Sequence, residues 1–205
     1  IVFQGVEGAY SQLAMKTYFG ENCNGYNVDS WKDAMEDIKC GKADYAVLPI
    51  ENSSAGIVSE NYDLLVEYDN YIVGEQIIRI DHSLMGLPGA KISDIRTVYS
   101  HPQALMQCSD FFDEHKDINQ VAVRNTAFSA KKVKDDGDIT QAGIASHISA
   151  DIYGLQVLES RIQNNKNNAT RFIIVSAKRV CRRDADRIST VSYTHLRAHE
   201  TRHDL

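Results

Sequence analysis

The sequence predicts an α/β protein built as two lobes, on three observations. Short β-favouring runs alternate with helical stretches along the chain, the pattern of repeated strand–helix units. Several of those runs end in polar residues, Ile50 being followed by Glu51-Asn52-Ser53-Ser54 and Tyr99 by Ser100-His101-Pro102-Gln103. Asn168-Ala169-Thr170-Arg171 leads directly into Phe172-Ile173-Ile174-Val175, four large apolar residues that read as a central parallel strand with helices over both faces. Ligands of open α/β sheets bind at strand ends, so these polar residues form the candidate site. With 205 residues, 43% of them hydrophobic and 24% charged, the chain suits one large domain or two small lobes.

Residues 1 to 4 form a short apolar strand, and Gly5-Val6-Glu7-Gly8 is a tight turn into a helix over residues 9 to 19. Such a turn brings backbone N–H groups and a helix amino end toward an anion, with Ser11 as an additional donor. The three-glycine dinucleotide fingerprint is missing, so a carboxylate suits Gly8 and Ser11 better than a nucleotide. Asp29 or Ser30 caps a helix to Lys39, and residues 45 to 50 are a second buried strand. The loop at 51 to 56 feeds a helix over 58 to 67. Ser53 and Ser54 have the chemistry of caps, whereas Glu51 and Asn52 sit at the strand's carboxyl end. Residues 71 to 80 favour β structure and 82 to 89 continue it, long enough to cross between lobes.

The strand at 97 to 99 ends in Ser100-His101; Pro102 suits a first helical position, and the helix runs to Glu114 with Gln103 in its first turn. His101 titrates near neutrality, so it either opens this helix or takes part in proton transfer. There follow a strand over 120 to 123, Asn125-Thr126-Ala127 opening a helix to Lys134, and a small-residue strand over 142 to 146. A helix over 148 to 153 stops at Gly154, and a strand over 156 to 162 reaches an Asn-rich loop at 163 to 168. The lobes are then 1 to 78 and 79 to 170, with 171 to 180 rejoining the first and polar strand ends lining the cleft. Strand neighbours face opposite sides, so Thr170 and Arg171 cannot both face one cleft in a regular strand.

Composition excludes several functions. A net charge of −6 argues against nucleic-acid binding, which rests on Lys and Arg neutralising phosphates. The apolar runs fall short of the roughly 20 residues that span a bilayer, so no membrane partner is expected. A chain that begins without Met and without a basic leader reads as a segment of a longer cytoplasmic protein. Cys23, Cys40, Cys108 and Cys181 form no C-x-x-C pair and indicate neither a zinc site nor a disulfide framework.

Six stretches carry a family resemblance: Phe3-Gln4-Gly5 through Gly8-Ala9-Tyr10-Ser11, Leu48-Pro49-Ile50-Glu51-Asn52-Ser53, Ser100-His101-Pro102-Gln103-Ala104-Leu105, Asn125-Thr126-Ala127, Ile152-Tyr153-Gly154-Leu155 and Asn168-Ala169-Thr170-Arg171-Phe172. In this order they resemble the catalytic domain of prephenate dehydratases, often fused to chorismate mutase, over about residues 1 to 180. The resemblance implies two α/β subdomains like those of type II periplasmic binding proteins, with the active site in the inter-lobe cleft. It implies that prephenate loses water and carbon dioxide to give phenylpyruvate, in phenylalanine biosynthesis, with no cofactor and no metal. It gives Thr170, Glu51 and Gln103 catalytic roles, with Asn52, Ser53, Ser100, His101, Thr126, Arg171, Phe172, Gly8 and Ser11 binding substrate. A threonine hydroxyl is a weak acid, so a relay from Glu51 or His101 to Thr170 is an expectation. Arogenate dehydration and a non-catalytic acid-binding module of the same clamshell are the alternatives; a homodimer is a further expectation.

Members of this family usually continue into an ACT domain that binds phenylalanine. Residues 181 to 190 look like the linker to such a domain, absent here, while 191 to 205 look foreign to the family. Within that tail His199-Glu200-Thr201-Arg202-His203 matches H-E-x-x-H, with His195 four residues before it. A zinc protease needs that helix under a cleft and a downstream ligand, and only Asp204 and Leu205 follow, so no catalytic metal is expected.

Overall fold

The chain builds one sheet, crosses to build a second, and returns to finish the first. The computed structural model describes residues 1–179; the expected linker and the tail with its H-E-x-x-H run lie outside the described residues. The first sheet and its helices comprise β1 (Val2–Gln4), α1 (Tyr10–Phe19), β2 (Tyr26–Val28), α2 (Trp31–Lys39), β3 (Ala46–Asn52), β4 (Gly56–Ile57), α3 (Ser59–Glu67) and β5 (Tyr71–Arg79). The second comprises β6 (Ser83–Gly86), β7 (Thr97–Ser100), α4 (Pro102–Gln107), α5 (Ser109–Glu114), β8 (Asn119–Ala122), α6 (Thr126–Asp136), β9 (Gln141–Ala145), α7 (His147–Tyr153) and β10 (Gln156–Ser160). The return strand is β11 (Ala169–Ser176).

The first sheet has the order β2-β1-β3-β11-β5, with β4 on β3; the second has the order β10-β6-β9-β7-β8. β11 is an interior strand, flanked by β3 and the edge strand β5 and buried as its apolar run predicts, but it is antiparallel to both neighbours rather than parallel. The chain comes back from the second lobe at the carboxyl end of β3, placing Thr170 opposite Asn52, and can only run the other way. The stretch from 71 to 89 is two strands in different sheets, with the crossing at residues 80 to 82. The helix expected from 102 to 114 breaks at Cys108, whose φ and ψ of −114° and 26° leave the helical region. β2 and β4 are partly or fully exposed and lack the apolar run that announces the similarly short β1.

Local chemistry sets the helix starts. Ser30 and Asp33 form a reciprocal capping box on α2, and the Asn125 side chain accepts from Phe128 N to cap α6. α1 differs, because its cap residue Ala9 has no side-chain acceptor.

One face of the first sheet packs Leu48, Ile50, Ile173 and Val175 against Met35 and Ile38 of α2 and Leu64 and Leu65 of α3. The other packs Phe3, Val47, Phe172 and Ile174 against Ala14 and Met15 of α1. Full burial of such a side chain contributes about 1.5–3 kcal/mol, so this sandwich fixes the direction of every residue on β11. The pairing of β3 with β11 slips between Arg171, opposite Glu51, and Phe172, opposite Pro49, so Ile50 is an extra residue. Alternation from Leu48 and Ile50 would send Asn52 toward α2 and α3. The bulge instead brings Asn52 to the α1 side and Glu51 to the other, the re-aiming that bulges produce.

Candidate active site

A cavity of about 270 Å³ lies between the two lobes. Its first-lobe wall is the end of β1 at Gln4 and Gly5, the start of α1 from Ala9 to Ser11, and the Asn52–Thr170 pair. The second-lobe wall is His101, Gln103 and Gln107 around α4 and Asn125 and Thr126 at the start of α6, with Ile80 and His82 from the crossing segment between them.

Asn52 is held from both ends of its amide. Its Oδ1 accepts from Ser54 N at 2.9 Å and Ala55 N at 2.8 Å, which fixes Nδ2 as the end that donates to Thr170 Oγ1 at 2.8 Å. Thr170 is 8% exposed. With its oxygen already accepting from Asn52, the threonine's own proton is the part left to offer a molecule in the cavity. The α1 amino end beside it carries uncapped N–H groups and the positive end of the helix dipole.

Behind this pair runs a chain of polar contacts. Ser53 Oγ donates to Asn168 Oδ1 at 3.2 Å, and Asn168 Nδ2 donates to Gln107 Oε1 at 3.2 Å. Gln107 Oε1 lies 3.0 Å from His82 Nε2, so an accepting Gln107 oxygen assigns the hydrogen to Nε2. His82 Nδ1, then the accepting nitrogen, is 3.2 Å from Tyr10 OH, whose single proton is divided between it and Asp81 O, 2.8 Å away. Burial lowers the pKa of His82 against the opposing pull of the Gln107 bond and the Asp81 charge, and burial, with Asp81, raises that of Tyr10. His101 uses Nδ1 to accept from Gln103 N at 3.2 Å, leaving Nε2 for its proton, and burial lowers its pKa too. No Asp, Glu, Lys or Arg lines the cavity among the described residues, so its polarity at neutral pH comes from dipoles.

Of the residues expected from the sequence, the cavity brings together Thr170, Asn52, Gln103, His101, Thr126, Phe172 and Ser11. Ser11 Oγ donates to Gln4 O at 2.6 Å. The structure does not bring Glu51 or Arg171 to it. Both lie on the opposite face, where Arg171 Nε meets Glu75 at 2.9 Å and Nη1 lies 3.9 Å from Glu51, and no direct hydrogen bond joins Glu51 to Thr170 among the described residues. Ser100 is fully buried and ties β7 to β9 by donating to Ile144 O at 2.7 Å. Ser53 stands one layer back, accepting from Ala169 N at 3.0 Å. Gly8 lies outside the cavity lining and touches the second lobe.

Sequence reasoning missed Tyr10, His82 and Gln107 as site residues. Gln107 carries a readable signal, since it follows Gln103 by four positions on one helix face. Among the described residues no three His, Cys, Asp or Glu side chains come together as a metal group, and no helix is long and apolar enough to cross a membrane.

Fold and cavity together define a two-lobed α/β protein with a pocket between its lobes that no charged side chain lines among the described residues. The sequence model of the prephenate dehydratase family matches residues 1–180, and the chain belongs to that family. It is 41% identical over 176 residues to arogenate dehydratase/prephenate dehydratase 1, chloroplastic, of Arabidopsis thaliana, covering 86% of this chain and 44% of that protein. It is 36% identical over 183 residues to the bifunctional chorismate mutase/prephenate dehydratase of Escherichia coli K12, covering 88% of this chain and 47% of that protein. Among solved structures, the prephenate dehydratase of Arthrobacter aurescens in complex with L-Phe superposes with a TM-score of 0.80 at 29% identity, over 88% of this chain and 61% of that one. The chain thus spans less than half the length of these curated relatives.

Proposed function

We propose that the inter-lobe cavity dehydrates and decarboxylates prephenate to phenylpyruvate in the cytoplasmic synthesis of phenylalanine. The supporting observation is the Asn52–Thr170 pair, a rigidly held hydroxyl with its proton free toward an uncharged cavity. In the reaction the bond from the ring to the carboxylate breaks, its electron pair enters the ring, and the C–O bond to the ring hydroxyl breaks. One proton joins the departing hydroxide, so the dianion plus one proton gives the phenylpyruvate monoanion, water and carbon dioxide. Aromatisation drives the step. The protein's task is to hold the dianion, hydrogen-bond the leaving oxygen and exclude water.

Thr170 donates to the leaving hydroxyl, and the α1 amino end, Gln103 and Thr126 supply donors for the carboxylates. The Nε2 hydrogen assigned to His101 gives the second-lobe wall one more donor. Arogenate differs by an ammonium group, which seeks a carboxylate; the described lining has none, and this favours the keto acid. A chorismate mutase segment in the full-length protein fits the bifunctional relative.

The test is to incubate purified protein separately with prephenate and arogenate and follow phenylpyruvate and phenylalanine. Faster turnover of prephenate is expected. Faster turnover of arogenate would reverse the preference, and no product from either would mean that the clamshell only binds its acid.

A further inference from the structure

We propose that Ser146 and Ser149 are positioning residues for this reaction: through the Gly8 carbonyl they set the first-lobe wall of the cavity against the second. The inference rests on the dehydratase function proposed above. Ser146 Oγ donates to Gly8 O at 2.9 Å and Ser149 Oγ donates to the same oxygen at 3.1 Å, both side chains being almost wholly buried. One residue earlier, Tyr153 OH donates to Glu7 O at 2.9 Å. A single short helix of the second lobe, α7, with its cap residue Ser146, therefore holds two successive carbonyls of the β1–α1 turn.

The turn is shaped for that grip. Gly8 has a φ of 84°, and a Cβ there would sit 2.6 Å from Ser149 Oγ, so a glycine is what lets the carbonyl reach both serines. Its N–H is fixed from the other side by Gln12 Oε1 at 2.7 Å. With both groups of Gly8 held, the next residues, Ala9 to Ser11, present the uncapped start of α1 to the cavity in a set direction. Facing them are His101 and Asn125, on the lobe to which Ser146 and Ser149 belong. The serines touch no part of the cavity themselves, yet the separation of its two walls passes through them.

Releasing the grip lowers the share of molecules in which both walls can hold one substrate, which raises KM more than it lowers kcat. For S146A/S149A the expected result is a rise in the KM for prephenate of about tenfold, the loss of two buried hydrogen bonds, with kcat within about threefold of the parent. Y153F, which keeps the ring and removes only the exposed-side bond, is expected to raise KM about threefold and covers the case in which the double variant does not fold. Small-angle scattering of the substrate-free proteins should show a larger radius of gyration for S146A/S149A. An active parent whose two variants keep KM within a factor of 1.5 overturns the positioning role. A parent inactive toward prephenate instead overturns the dehydratase function, and an unchanged radius in S146A/S149A then overturns the grip on its own.

Discussion

Thr170 and Arg171 are neighbours on β11 and stand in opposite surroundings. On one face Thr170, Asn52 and Phe172 border an uncharged cavity and make their contacts through dipoles. On the other, Arg171 sits between Glu75 and Glu51, with their side chains 39%, 25% and 51% exposed. The cavity face has one preorganised hydroxyl with its proton unspent; the outer face has three charges that satisfy one another in partial contact with water. The difference teaches that the pleat of β11 and one extra residue on β3, rather than residue type, decide which polar groups face the cavity.

The sharpest way to break this contrast is T170V, which keeps the volume and the buried strand but removes the hydroxyl. A fall in kcat for prephenate of about 10² to 10⁴ is expected, the usual weight of proton assistance to a leaving group. N52A comes next. It removes both the donor that orients Thr170 and the acceptor that holds Ser54 N and Ala55 N, so kcat should drop about 10 to 100-fold, with a lower thermal midpoint, each checked on the same preparation.

A smaller effect concerns stability. Burial lowers the pKa of His82 from its ordinary 6.5, so the unfolded chain takes up a proton at a pH where the folded one resists it. His82 therefore costs nothing above about pH 6.5 and destabilises the fold progressively as pH falls below it. A series of thermal midpoints should show this acid-side decline, and H82Q should flatten it. Least of all should come from the outer face. E51Q and R171Q should leave kcat/KM within about threefold and change stability by less than about 1 kcal/mol, because a partly exposed ion pair is screened by solvent. A hundredfold loss of kcat in E51Q, with Tm unchanged, would erase the contrast between the faces.

Much of the fold is legible in the sequence where one local signal governs. Ser30, one of two cap candidates, Pro102 after His101, and Asn125-Thr126-Ala127 all mark helix starts that the structure contains. Thr170, Asn52 and Gln103 are legible as candidates because they stand at strand or helix ends, Thr126 only through the family resemblance, and all four line the cavity. What escapes is whatever depends on partners far along the chain. The direction of β11 follows from where the second lobe releases it, and the fate of Glu51 from a slip in pairing with a residue 120 positions away. His82 looks like one polar residue within a β-favouring run until the crossing between sheets brings Tyr10 and Gln107 to it.

The place of β11 has a consequence for synthesis on the ribosome. It is an interior strand of the first sheet, between β3 and the edge strand β5, and it is the last described strand to be translated. The strands of the second lobe, from β6 to β10, are contiguous and can pair as soon as they emerge. The first lobe must wait with two open strand edges, since β3 and β5 gain their shared neighbour only when residues 169 to 176 clear the exit tunnel. The half of the protein made first is thus the half completed last, and premature termination before β11 would release a chain with adhesive edges on β3 and β5.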